Sequence, residues 1–72
     1  MNDEKIFPAR IQELRLKHGI TQKQLGEAVG LSQKAISTIE SGLRETTFDK
    51  LVLLAKFFDV STDYLLGLKD EP

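Results

Sequence analysis

Residues 21–40, TQKQLGEAVGLSQKAISTIE, leave the backbone little choice. Thr21 with Gln24 three residues later makes a capping box, in which side chain and backbone satisfy each other's open hydrogen bonds. Ile20 before the cap and Leu25 after it form a hydrophobic staple that sets the entry angle. Gly30 then stops the helix, because glycine enters the left-handed region without steric cost. Leu31 points inward, Ser32 caps a second helix, and Leu31 with Ile36 repeats the staple. Two helices joined this tightly must cross steeply, giving a helix-turn-helix over 21–41.

The apolar positions agree with that crossing. Leu25, Val29, Leu31, Ile36 and Ile39 face the core, and Gly26 marks a place where the two backbones come close. Glycine inside a helix costs about 1 kcal/mol against alanine, so its use there implies that even a methyl is unwelcome. The other side of the second helix, 32–41, carries Ser32, Gln33, Lys34, Ser37, Thr38 and Ser41, with no acid before Glu40. Solvated helix faces are mostly Glu and Lys. A short, amide- and hydroxyl-bearing face is instead suited to base edges and phosphates.

The stretch resembles the helix-turn-helix of phage repressors and Cro, the XRE-like group of bacterial and phage regulators. The matching residues are Thr21-Gln22, Leu25, Gly30, Leu31-Ser32-Gln33, Ile36-Ser37, Ile39-Glu40 and Gly42. The likeness continues through Val60-Ser61-Thr62-Asp63-Tyr64-Leu65-Leu66-Gly67, nearly the whole chain. Gly26 stands where alanine is usual, and Thr46 where proline often follows the second helix. The resemblance implies an all-α, compact five-helix bundle whose second motif helix enters the major groove of double-stranded DNA. It also implies a transcriptional regulator, a repressor by preference, acting as a homodimer on a near-palindromic operator.

Length and composition set the outer bounds. Seventy-two residues make a single domain, 1–72. A core of that size contributes only about 3–5 kcal/mol net, so caps and self-association matter. Without cysteine there is no disulfide framework and no thiolate metal site. No apolar run approaches a membrane span and no secretory segment is visible, which makes the cytoplasm the default location. The net charge of −1 runs against a nucleic-acid partner. Its distribution does not: residues 10–44 hold six basic and three acidic side chains, net +3, and the remainder is net −4. Phosphate-driven affinity per monomer should therefore be modest, which again favours a dimer.

Elsewhere the chain reads as helices. Asp3 and Glu4 precede the first, where acids suit the positive end of a helix dipole. Pro8 fits its first turn, Ile11 and Leu14 with Leu16 flanking face the core, and Gly19 ends it after Lys17 and His18. Gly42 closes the second motif helix, Leu43–Thr46 is a loop carrying Arg44, and Thr46 or Thr47 caps the next helix. That helix, 48–59, presents Phe48, Leu51, Val52, Leu54, Ala55 and Phe58 as one buried face, with Leu53 and Phe57 elsewhere. Ser61 caps a last short helix with a Val60–Leu65 staple, Gly67 ends it, and Lys69–Pro72 reads as a frayed polar tail.

Roles follow from position. Gln22, at the start of the first motif helix with free backbone N–H groups, suits a phosphate oxygen. Gln33 and Lys34 begin the helix that goes deepest into the groove, where Gln pairs with adenine and Lys with guanine. Ser32, Ser37 and Thr38 reach bases or phosphates, or simply cap and solvate; Lys23 and Arg44 reach phosphate or remain solvated. The resemblance implies an ion pair between Arg15 and Glu40, with Arg15 also near a phosphate. It implies a dimer surface at Phe57, Tyr64, Leu65 and Leu68, residues that otherwise close the monomer core. The chemistry argues against an enzyme: the lone His18 sits in a helix's last turn, there is no Cys nucleophile, and no Gly-rich loop after a strand or metal-ligand cluster accompanies it. Nothing points to a cofactor or small-molecule ligand. The competing reading is a protein-interaction module, an antitoxin or antirepressor component that keeps the fold with weak or no DNA binding.

Overall fold

The computed structural model describes residues 5–72. Five helices follow one another: α1 Ile6–Lys17, α2 Gln22–Val29, α3 Gln33–Glu40, α4 Phe48–Phe58 and α5 Thr62–Leu66, with no strand among the described residues. Four of them start on a hydroxyl cap. Thr21, Ser32, Thr47 and Ser61 each accept the backbone N–H three residues on, and Thr21 with Gln24 completes the capping box. Asp3 and Glu4, expected to favour the start of α1, lie outside the described residues.

The ends are equally specified. Gly30 turns left-handed at φ 76°, and Leu31 N–H reaches the Gly26 carbonyl at 2.8 Å. At the end of α3, Gly42 and Leu43 donate to Ile39 and Thr38 and close the last turn. His18 caps α1 by donating from Nδ1 to the Leu14 carbonyl at 2.9 Å, a carbonyl being only an acceptor. Asp59 ends α4 in the left-handed region at φ 55°, a conformation that Asp tolerates better than most residues.

The core gathers Ile11 and Leu14 from α1, Leu25 and Val29 from α2, Ile36 from α3, Leu51, Leu54, Ala55 and Phe58 from α4, and Leu65 from α5. Phe7, Ile20, Leu31, Val60 and Tyr64 pack around it half-buried. Helices α1 and α4 thus form the platform on which the α2–α3 pair rests, and α5 closes the end between them.

Several residues depart from the sequence expectation. Leu16 is 62% exposed and Phe48 86% exposed, with Val52 exposed as well. Phe48 opens α4 at the rim of an open groove lined also by Phe7, Leu43, Leu51 and Leu66. Leu65 is fully buried, so it closes the monomer and cannot belong to a dimer surface. The tail is not frayed: Ser61 N–H donates to the Pro72 carbonyl at 2.9 Å, and Arg10 donates to the Lys69 carbonyl at 2.8 Å. Arg10 also donates to the Tyr64 carbonyl, lies 4.1 Å over the Tyr64 ring and sits 3.6 Å from Asp70.

Candidate nucleic-acid interface

The close approach of the turn and the start of α3 to α2 depends on Gly26. A Cβ built there would overlap the Leu31 carbonyl oxygen and stand 3.2 Å from both Leu31 C and Ser32 O. Backbone therefore packs directly on backbone, and the turn holds α3 at a fixed angle to α2. Ala35, Ile36 and Ile39 bury one side of α3. The opposite side, Ser32, Gln33, Lys34, Ser37 and Ser41, is exposed, with Thr38 half-buried beside it.

The hydroxyls on this face are partly spent. Ser32 Oγ accepts from Ala35 N–H, Thr38 Oγ1 donates to the Ala35 carbonyl and Ser41 Oγ to the Thr38 carbonyl. That leaves the Ser32 O–H, acceptor lone pairs and the Thr38 methyl as what these residues offer outward. Gln33, Lys34 and Ser37, by contrast, stand in solvent. Lys23 on α2 and Arg44 in the loop after α3 are exposed as well.

The only acid on α3 does not face outward. Glu40 reaches back to α1, where its side chain is 3% exposed against 12% for Arg15. Arg15 Nε lies 2.6 Å from one carboxylate oxygen and its second terminal nitrogen 3.0 Å from the other, a bidentate pair. Arg15 also donates to the Ile20 carbonyl at 3.0 Å. The hydrogen bond to Glu40 raises the Arg15 pKa above its usual value, against an opposing effect of burial. Gln22 Nε2 donates to the same carboxylate at 3.2 Å, so Arg15, Glu40 and Gln22 form one network across three helices.

Of the residues suggested for a dimer, Phe57 and Leu68 are exposed, Tyr64 is half-buried under Arg10, and Leu65 is enclosed. Two contributors escaped the sequence reading. Lys50 on α4 donates to the Val29 carbonyl at 2.9 Å and caps the end of α2. Arg10 pins the tail. Neither leaves a local signature, because each partner is more than twenty residues away in sequence.

A steeply crossed helix pair with a capped, acid-free outer face defines the helix-turn-helix class. A family model described as Helix-turn-helix matches residues 11–65, and the chain belongs to that family, a DNA-binding regulator class and not an enzyme class. YobD of Bacillus subtilis (strain 168), an uncharacterized HTH-type transcriptional regulator, is 41% identical over 93% of the chain. The chain spans 60% of that relative's length. Control protein C.SmaI of Serratia marcescens is 32% identical over 99% of the chain and 88% of its own. Among solved structures, the P22 c2 repressor in complex with a synthetic operator superposes with a TM-score of 0.84. It is 38% identical, covering 89% of this chain and 97% of that one. Among the described residues no helix is long and apolar enough to cross a membrane.

Proposed function

We propose that this chain is a sequence-specific double-stranded-DNA-binding regulator of transcription, a repressor, that inserts α3 into the major groove. The observation that carries the reading is the acid-free face of α3. Its single carboxylate is held inward by Arg15, while Gln33, Lys34 and Ser37 stay exposed at the helix's outer edge. A merely solvated helix has no need to sequester its one acid. In this reading Gln33 and Lys34 contact base edges, Ser32, Ser37 and Thr38 support them, and Gln22, Lys23 and Arg44 engage phosphates. Arg15 takes a positioning role, because its nitrogens already serve Glu40 and the Ile20 carbonyl.

The functional unit is a homodimer on a near-palindromic operator. Two-fold reading of B-DNA needs recognition helices about 34 Å apart. Copies 29 × 24 × 22 Å in extent, touching side by side, match that scale. Exposed Phe57 and Leu68 furnish its apolar contacts, with Tyr64 at the margin.

Selection of duplexes from a random pool, followed by salt titration of the recovered sequence, tests the proposal. Two cationic phosphate contacts per copy, Lys23 and Arg44, give a log–log salt slope of about −1.8 per monomer and about −3.6 per dimer. Gln33→Ala should relax preference at one base step, and Arg44→Ala should weaken all duplexes alike. No enriched sequence, or binding indifferent to salt, overturns it in favour of a protein-interaction module.

A further inference from the structure

Gln22 does not stand free at the start of α2. Its Nε2 donates to Glu40 Oε1 at 3.2 Å, and the same oxygen accepts from Arg15 at 3.0 Å. An ionised carboxylate only accepts, so the amide must present its nitrogen to Glu40. With one N–H fixed and the amide planar, the directions of the second N–H and of Oε1 are set. Glu40 is itself immobilised by the bidentate Arg15 contact and is almost fully enclosed.

We infer that Glu40 is a positioning residue for DNA binding: it aims the remaining Gln22 N–H at a phosphate and holds it there before the duplex arrives. The inference rests on the proposed function and adds to it a part for an acid that never touches DNA. Locking one rotamer in advance removes an ordering cost from binding. The helix start supplies the rest, since the first backbone N–H groups of α2 have no partner within the helix. Arg15 serves the arrangement from the far side by fixing the carboxylate.

Electrostatics alone makes the opposite forecast, which is what renders the idea testable. Replacing Glu40 by Gln deletes a negative charge close to the duplex, so a purely long-range effect would tighten binding. Positioning forecasts weaker binding, and only while Gln22 is present.

The experiment is a double-mutant cycle of Gln22→Ala and Glu40→Gln, read as Kd for a duplex recovered from the random pool. Each variant is first shown to be folded at the assay temperature. Q22A alone should weaken binding roughly ten- to hundredfold, the scale of a hydrogen bond to a charged group. E40Q should weaken the Gln22-containing protein by about threefold or more, a coupling such a cycle resolves. In the Q22A background E40Q should have no weakening effect. Equal weakening in both backgrounds makes Glu40 a structural residue only and overturns the inference, as does tighter binding by E40Q. A wild-type chain that binds no duplex overturns the functional reading first and this inference with it.

Should E40Q fail to fold, the free wild-type protein gives the answer by nitrogen-15 relaxation of the Gln22 side-chain amide. Rigidity comparable to ordered backbone, an order parameter near about 0.85, supports the inference, and a value below about 0.6 overturns it.

Discussion

Adding a methyl at Gly26 pits helix propensity against packing in a way whose sign the structure decides. On propensity alone Gly26→Ala gains about 1 kcal/mol, since Gly is the poorest helix former after Pro. The methyl, however, would overlap the Leu31 carbonyl oxygen and lie 3.2 Å from Leu31 C and Ser32 O. All three are backbone atoms and no side chain can swing aside. Relief requires the turn to move away from α2, which strains the 2.8 Å hydrogen bond from Leu31 N–H to Gly26 O. Overpacking of this kind costs about 1–3 kcal/mol, and a weakened turn hydrogen bond about 1 kcal/mol more. The net expectation is destabilisation by about 1–3 kcal/mol. Urea unfolding followed by circular dichroism measures it: with a slope of about 1 kcal/mol/M for so small a domain, the midpoint should fall by at least about 1 M. Because Ser32 is the N-cap of α3, the same variant should lose affinity for the selected duplex when still folded. A midpoint that rises, with the slope unchanged, would show that the helices have room for the methyl and that the close approach is not what sets the crossing.

The remaining expectations concern single contacts. Lys50→Met leaves the Val29 carbonyl without its cap and should cost about 1 kcal/mol in urea unfolding. Phe48→Ala should change stability by less than about 0.5 kcal/mol, the behaviour of a surface site, where a buried Phe would cost about 3–5 kcal/mol. Leu65→Asp should prevent folding, while Leu68→Asp should leave the monomer's melting intact and change only self-association in sedimentation. Arg15 carries a pKa raised by its hydrogen bond to Glu40, so its stabilising contribution is complete below its ordinary value and fades only as pH rises through the raised one. The Tm difference between wild type and Arg15→Met should accordingly stay constant between about pH 7 and about pH 10, where Arg remains charged in both states. A difference that shrinks across that interval would refute the assignment.

How legible the molecule was depended on how local each signal is. Caps and stops are decided within four or five residues, and the hydroxyls at Thr21, Ser32, Thr47 and Ser61 all lie where such motifs place them. The polar side of α3 was legible for the same reason, since helical periodicity alone separates Gln33, Lys34 and Ser37 from Ile36 and Ile39. Periodicity names a face but not how much of it is covered. Phe48 and Val52 share a stripe with Leu51 and Ala55, yet only Leu51 and Ala55 are enclosed and the other two remain exposed.

Local sequence was enough for the five helices, most of their ends and the close approach at Gly26, because these arise from backbone hydrogen bonding and sterics between near neighbours; between Thr46 and Thr47 as the cap of α4 it left the choice open. Only the tertiary structure decided which apolar residues are enclosed, that Arg10 holds the tail against α5, and that one carboxylate joins Arg15 and Gln22. Those outcomes depend on how whole helices are set against one another, a geometry to which no short stretch of chain is sensitive.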